Sequence, residues 1–234
     1  MTARALLLLL VTLAFGAAPF LTPPFRGYDP ALFPVRIARP SIQPAGFAFA
    51  IWSVIYLWLF IHAFLGLWKH TRNPAWDRPR LPFILAITLG SAWLSIAPVA
   101  PIAATATILV MAAAAIAAFL RADTGTDRWL LSAPTAILAG WLSAAAAVST
   151  GVVIAGYGLL TDTVAALVMI VVTLMLAISI QRRQPAMPVY GLTVIWALIG
   201  IVVANAGLNP TVAIAAGLGI AAMALILRST VQAR

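Results

Sequence analysis

The amino-acid sequence predicts an all-α protein, built as a polytopic bundle of transmembrane helices. Of its 234 residues, 64% are hydrophobic and 8% are charged, and the mean hydropathy is +1.08, well outside the range of water-soluble domains. The apolar residues form runs of about 20, the length of helix that crosses a bilayer core, and short joints rich in arginine, proline or glycine separate them. Because these runs are apolar on every face, they indicate helices and not the alternating strands of a membrane barrel.

Eight such runs are predicted to be membrane-spanning helices. The first follows the segment MTAR, and because a leucine run and FGAAP come next it also fits a cleavable signal peptide. The third and fourth are separated only by VAP and are expected to form a tight helical hairpin. The predicted ranges are 4–22, 45–68, 82–98, 102–120, 129–150, 161–181, 189–206 and 210–227.

Turn residues predict where the later helices end and begin. The apolar stretch 130–160 is too long for one span, so a turn is expected within it. The residues predicted to form that turn are Gly151, Gly156 and Gly158. Thr161 or Asp162 is expected to start the next helix, and Asn209 and Pro210 are predicted to be the N-cap and first residue of the last one.

The basic residues predict the orientation of the bundle. With the N-terminus in the cytoplasm, all but three of the 14 lysines and arginines fall on the cytoplasmic side, as the positive-inside rule requires. The exceptions are Arg26, Arg36 and Arg39 in the first loop. We therefore expect an integral protein of the bacterial cytoplasmic (inner) membrane with both termini in the cytoplasm. This asymmetry explains the net charge of +9, so nucleic acid is not expected as a partner.

The acidic residues are too few for acid–base or ion-coupled chemistry. All five are aspartates placed in loops or at helix ends, so neither a buried carboxylate pair nor a carboxylate for proton or sodium coupling is expected within the membrane. The absence of cysteine excludes disulfides, thiolate metal sites and thiol nucleophiles. No metal site and no catalytic residue is predicted, and any enzymatic activity would depend on tryptophan, tyrosine or histidine.

His62 lies inside the second helix, six residues before Trp68. An ionisable side chain at such a depth is a functional candidate. One interpretation is a neutral imidazole that hydrogen-bonds to a neighbouring helix, and another is an axial ligand of a tetrapyrrole iron. His70 is expected at the membrane interface.

Tryptophan is the most informative residue type. Trp68, Trp76 and Trp129 are placed where interfacial aromatic belts are usual. Four others lie deeper in their helices, namely Trp52, Trp93, Trp141 and Trp196. Phe49, Trp52 and Tyr56 are spaced by three and four residues and share one face of the second helix. Such rings either line a cavity for a flat apolar ligand or fill the core of the bundle.

The segment RPSIQPAGFAFAIWSVIY, residues 39–56, resembles the signature of the tryptophan-rich sensory protein family, also called the TspO or translocator protein family. In that family Lys-Pro, three residues and Pro-Pro lead into aromatic-Val-Phe and then Trp-Thr-x-Leu-Tyr. Here arginine replaces the lysine, Ala45 the second proline and Phe47 a usual tryptophan, and a proline before Trp52 is missing. Trp93, Pro134 and Trp141 resemble further family positions, with Gly90 where an asparagine is often found.

The resemblance covers about residues 1–150. It implies a TspO-like five-helix membrane domain over 1–150 and a three-helix C-terminal transmembrane extension over 151–234, as in longer bacterial relatives. It also implies a ligand pocket with the loop between the first two helices as its lid. The ligand-binding candidates carried over are Arg39, Pro40, Pro44, Phe49, Trp52, Tyr56, Trp93 and Trp141.

Members of the family bind porphyrins and other flat apolar molecules, so the resemblance implies a tetrapyrrole such as a porphyrin or haem as ligand. Aromatic faces can stack on such a ring, and Arg39 could pair with a propionate carboxylate. The protein would then act as a sensor, a regulator or a carrier in transport. The alternative is a structural or assembly subunit of a larger membrane complex, or a homodimer, since the small-residue runs at 112–118 and 215–222 permit close helix contacts.

Overall fold

A computed structural model describes residues 1–23, 25, 27–125 and 127–232. Within these ranges every regular element is helical, and all eight predicted long helices are present, which confirms the fold class. They are α1 (Thr2–Leu21), α2 (Ile51–Trp68), α3 (Arg80–Ile96), α4 (Pro101–Arg121), α5 (Ser132–Gly156), α6 (Asp162–Arg183), α7 (Val189–Asn205) and α8 (Pro210–Gln232). Short helical turns at Pro30–Leu32, Gly46–Ala50 and Pro74–Asp77 lie in the joints.

The described helices fit a bilayer by length and composition. Seven helical segments are long and apolar enough to cross a membrane, and the remaining one, α7, is apolar but has 17 residues. At 1.5 Å per residue, α7 is about 25 Å long, a little less than a typical hydrocarbon core of about 30 Å. The protein is therefore an integral membrane protein.

The turn signals are confirmed at two helix starts and corrected at one helix end. The Thr161 hydroxyl accepts a hydrogen bond from the backbone of Val164, which caps α6, and Asn209 caps α8. The correction concerns α5, which continues through Gly151 to Gly156, beyond the predicted end at 150. Gly151 lies inside this helix, and its missing side chain admits a close neighbour: a Cβ there would lie 3.2 Å from the Ile42 side chain. The turn follows at Gly158, where φ is +71°.

Helix α5 is the axis of the bundle. It packs against α2, α4, α6 and α7. In its most apolar stretch 72% of the residues are buried, compared with 22% in α8. Alanine, glycine and serine make up most of its length, so neighbouring helices approach closely. At Gly140 a Cβ would lie only 2.7 Å from the Tyr190 carbonyl oxygen of α7. One hydrophobic core therefore runs across residue 150, and the domain division at that residue stays a prediction.

The buried Arg80 joins three chain segments at one end of the bundle. Its guanidinium donates hydrogen bonds to the Asp77 carboxylate (3.2 Å) and to the carbonyl oxygens of Gly66 (2.9 Å) and His70 (3.0 Å). Arg4 pairs with the other carboxylate oxygen of Asp77 at 2.9 Å. Asp77 is thus a buried carboxylate at a helix end, neutralised by two arginines that fix α1, α2 and α3 together.

His62 is enclosed by protein at the same end. Its Nδ1 lies 2.8 Å from the Leu130 carbonyl oxygen, in agreement with the interpretation of an imidazole hydrogen-bonded to a neighbouring segment. The rings of His62 and His70 both stack on Trp76, with centroids 5.1 and 4.2 Å away. Because of these contacts Trp76 is 1% exposed, so its side chain is buried within the protein, and its depth relative to the membrane interface stays a prediction. Trp68 and Trp129 are exposed as expected.

Gly140→Ala is expected to lower the free energy of unfolding by about 1–3 kcal/mol, because the added methyl group would push α5 away from the α7 backbone. Gly217→Ala in α8 is the matched control, since a Cβ there has nothing within 4 Å, and this change should be neutral or slightly stabilising. Denaturant unfolding of the purified protein in detergent measures both. Equal loss of stability in the two variants would contradict the close α5–α7 contact.

Candidate functional site

A cavity of about 330 Å³ lies beneath the loop that joins α1 to α2. Helices α1, α2, α3, α4, α5 and α7 all contribute to its walls, and the loop contributes its cover. Its volume falls at the lower end of the range for small-molecule sites. Besides Trp141 and Leu142, α5 contributes small side chains to the wall, including Ala144, Ala145 and Val148.

The α2 wall of the cavity is a cluster of aromatic rings. Trp52 and Tyr56 stack nearly parallel, with centroids 5.4 Å apart and planes inclined by 22°. Phe15 of α1 meets both rings edge-on at 5.8 and 5.1 Å, and Trp141 of α5 meets Trp52 edge-on at 6.0 Å. Phe49 packs edge-on against Trp141 at 5.8 Å. These contacts fix a rigid aromatic surface suited to a flat apolar ligand.

Three polar groups of this aromatic wall have no hydrogen-bond partner among the described residues. They are the indole N–H groups of Trp52 and Trp141 and the Tyr56 hydroxyl, although Trp141 is only 3% exposed. By contrast, Trp93 donates to the Ala104 carbonyl at 2.9 Å. A polar group in apolar surroundings costs free energy until it finds a partner. The wall therefore offers free donors to a ligand.

A chain of hydroxyl groups forms a second polar feature of the cavity. The oxygens of Tyr28 and Thr105 each lie 2.6 Å from the Ser149 hydroxyl, and Thr105 donates to the Pro101 carbonyl at 2.8 Å. Since each hydroxyl has one proton, Ser149 must donate to Thr105 and Tyr28 must donate to Ser149. Burial raises the pKa of the Tyr28 phenol, which keeps that proton in place. The lone pairs of the Tyr28 oxygen remain free to accept.

Ser41 attaches the covering loop to the last three helices. Its backbone N–H donates to the Asp162 carboxylate at 3.0 Å, and its hydroxyl donates to the same carboxylate. The side-chain amide of Asn205 donates to the Ser41 carbonyl at 2.8 Å, and that of Asn209 to the Ser41 hydroxyl at 3.1 Å. These partners begin α6, end α7 and cap α8. We call this group of four residues the Ser41 clasp.

Helix α7 holds the segment just after the clasp. The Ala45 N–H donates to the Gly200 carbonyl at 3.0 Å, and the Trp196 indole donates to the Ala48 carbonyl at 2.8 Å. A Cβ on Gly200 would lie 2.8 Å from the side chains of both Pro44 and Ala48, so only glycine lets this segment come so close. The C-terminal helices therefore form the seat of the loop that covers the cavity.

The structure brings together six of the eight predicted binding residues. The six that line the cavity are Pro44, Phe49, Trp52, Tyr56, Trp93 and Trp141. Arg39 and Pro40 do not line it, and the Arg39 side chain is exposed. The reason is local, because the chain turns at Pro40, whose carbonyl accepts from the Gln43 N–H at 2.9 Å, and the clasp holds Ser41 inward. The expected pairing of Arg39 with a ligand carboxylate has no support in this geometry.

Several lining residues were not predicted from the sequence. Phe15 enters the wall because Gly90 faces it: a Cβ on Gly90 would lie 2.6 Å from the Phe15 ring. Phe25 and Tyr28 come from the loop, where Phe25 meets Trp93 edge-on at 4.9 Å. The sequence contained one signal for this contact: Gly90 stands where the family often has asparagine, and the missing side chain leaves space for a ring from another helix.

Comparison with known proteins gives a family but no individual relative. A family model described as a TSPO-like protein matches residues 35–228. The match begins in the covering loop and ends in α8, so it includes most of the extension that the sequence resemblance left outside. No curated protein and no solved structure matches the chain.

Ser41→Ala is expected to loosen the covering loop, because it removes the hydroxyl that donates to Asp162 and accepts from Asn209. Two lost hydrogen bonds of about 1 kcal/mol each correspond to roughly tenfold or more in local opening. Hydrogen–deuterium exchange of peptides covering 35–50 measures this opening. The control is Ser179→Ala, whose exposed hydroxyl bonds only to Met175 in its own helix. Unchanged exchange in the loop of Ser41→Ala would show that the clasp does not hold it.

Proposed function

The chain belongs to the TSPO-like family of membrane proteins, and we propose that it binds a flat apolar ligand of the tetrapyrrole class in the aromatic cavity. In this proposal the protein acts as a sensor or regulator, or as a carrier for that ligand. It would do so in the cytoplasmic membrane of a bacterium, with both termini in the cytoplasm and the covering loop on the opposite side.

The observation that carries the proposal is the aromatic wall beneath the loop. Trp52 and Tyr56 present stacked rings, and Trp141 faces them from the central helix. Aromatic pairs of this kind contribute about 0.5–1.5 kcal/mol each in addition to the free energy of burying their surface. A planar conjugated ligand would therefore gain binding free energy from more than one ring. Hydrogen bonds from the free indole and phenol groups would fix the orientation of the stacked ligand.

The covering loop supports a role that depends on occupancy. Pro44 lines the cavity, and three residues earlier Ser41 bonds to the last three helices. A ligand in the cavity would contact Pro44, which belongs to the segment that the C-terminal helices hold. Binding of a ligand would thereby change the contacts between the loop and the C-terminal helices, which lie outside the cavity. Sensing and gated transport both require such a change.

Trp52→Ala is expected to weaken the binding of protoporphyrin IX by roughly 10- to 100-fold, because the loss of one buried ring removes about 1.5–3 kcal/mol. The measurement is the shift of the porphyrin's own absorbance during titration of the protein in detergent, since removal of tryptophan alters protein fluorescence by itself.

The matched control is Trp68→Ala, because Trp68 lies at the other end of α2 and is 68% exposed. Trp196 is less suitable, since its indole holds the Ala48 carbonyl next to the cavity. Equal loss of porphyrin binding in the Trp52 and Trp68 variants, or loss in neither, would contradict the assigned site.

A further inference from the structure

We propose that the C-terminal end of α2 is a binding site for an anionic phospholipid. Lys69 and Arg72 would hold the phosphodiester of the headgroup. An acyl chain would lie along the exposed rings of Phe60, Phe64 and Trp68. We call these five residues the α2 lipid site. None of them lines the aromatic cavity, so the inference does not depend on the proposed function.

Three aromatic rings form a ladder along one face of α2. Phe60, Phe64 and Trp68 are spaced by four residues, so they lie above one another on the helix. Successive ring centroids are 6.1 and 5.8 Å apart, and all three side chains are exposed. On a helix that crosses a membrane, such an exposed apolar ridge meets the acyl chains of lipids, and a tryptophan at the helix end is suited to the headgroup boundary.

The joint that follows the ladder is positively charged. Lys69, Arg72 and Arg78 are all exposed in it. The Lys69 ammonium lies 4.9 Å from the centre of the Trp68 ring, so this charge stands directly beside the last rung of the ladder. Arginine binds phosphate oxygens through a bidentate fork and lysine binds them as a point charge. The joint therefore offers both kinds of partner to a phosphodiester at the end of the apolar ridge.

The carboxylates that contact this joint are engaged with other groups. Asp77 is buried and pairs with Arg4 at 2.9 Å and with Arg80 at 3.2 Å. Asp127, from the joint between α4 and α5, accepts a hydrogen bond from the Trp76 indole at 3.2 Å. Neither carboxylate forms an ion pair with the exposed cations of the joint, so their charge is available to an anionic ligand.

The backbone between the two cations of the site is held in place by Arg80. Its buried guanidinium donates to the carbonyl oxygens of His70 at 3.0 Å and Thr71 at 3.1 Å. These are the two residues between Lys69 and Arg72, so the positions from which both cations project are fixed before a lipid arrives. A site that is ordered in advance loses less conformational entropy on binding.

Two other basic segments lack this combination of features. Helix α6 ends in Arg182 and Arg183 but contains no aromatic residue. Arg128 lies 5.1 Å from the centre of the Trp129 ring, but its guanidinium donates to the Ala186 carbonyl at 2.7 Å. Basic residues at a membrane surface attract anionic lipid in general. The ladder and the fixed cations together predict a preferred position for one lipid at the end of α2.

Native mass spectrometry of the protein in a neutral detergent tests the inference. The probes are phosphatidylglycerol and phosphatidylcholine with identical acyl chains, which differ in the net charge of the headgroup. We expect the first phosphatidylglycerol to bind at least about tenfold more tightly than phosphatidylcholine. Equal affinity for the two lipids would overturn the inference.

The cations are tested with the double variant Lys69→Gln/Arg72→Gln. Affinity for the first phosphatidylglycerol is expected to fall about tenfold or more, and affinity for phosphatidylcholine should stay the same. The matched control is Arg182→Gln/Arg183→Gln, which removes two exposed charges from the same end of the bundle and should leave the first binding event unchanged. All four side chains are exposed, so neither variant disturbs the core. An equal loss in the two variants would show a general attraction to positive charge and would contradict the site.

The ladder is tested with Trp68→Leu, which removes one ring and keeps the helix apolar. Affinity for phosphatidylglycerol should fall about two- to tenfold, while Trp129→Leu, a change at another exposed tryptophan, should have no effect. The same spectra report the number of protein chains. A dimer that dissociates in Trp68→Leu would show that the ladder binds a second copy of the chain, and this result would overturn the lipid assignment.

Discussion

The close approach of neighbouring helices to α5 is the constraint on which the rest of this structure depends. A membrane offers no solvent-driven attraction between apolar helices, so the bundle is held by van der Waals contact, and contact requires small side chains. Gly140 lets the α7 backbone come within a distance that a Cβ would prevent, and Gly151 lets Ile42 pack more closely than a Cβ normally allows. The same property creates the cavity. Next to the point where Trp141 of α5 meets Trp52, small side chains such as Ala144 and Ala145 line the cavity, and they leave space in front of the rings of α1 and α2.

Polar side chains have a complementary task at the two ends of the bundle. At one end Arg80 and Asp77 join the starts and ends of α1, α2 and α3, and at the other end the Ser41 clasp joins the covering loop to α6, α7 and α8. Few ionisable groups are present; the buried Asp77 and Arg80 pair with each other, and the buried His62 bonds to a backbone carbonyl. The bundle is thus apolar through the bilayer and specified by a small number of polar contacts near its ends.

The fold could be predicted from the sequence almost completely, because hydropathy and turn residues act locally and repeat in every segment. The extension of α5 past Gly151 could not, because a glycine that packs against a distant residue such as Ile42 looks the same in the sequence as a glycine that forms a turn. The α2 face of the site followed from the spacing of Phe49, Trp52 and Tyr56 and from a family signature. The contributions of Phe15, Tyr28 and the C-terminal helices arise from contacts between distant segments. The exposed position of Arg39 outside the cavity likewise depends on the turn at Pro40, which the sequence did not reveal.

The Ser41 clasp lies on the same short segment as Pro44, which lines the cavity. Ligand binding and formation of the clasp would be thermodynamically linked, because they involve the same segment. The linkage is reciprocal: if the clasp changes the affinity for ligand by some factor, ligand changes the equilibrium constant for forming the clasp by the same factor. Any lipid or protein that binds to α6, α7 or α8 and favours one arrangement of the clasp would therefore act as an effector of the cavity. The C-terminal helices, which contribute few side chains to the walls, would set the affinity of the site from a distance.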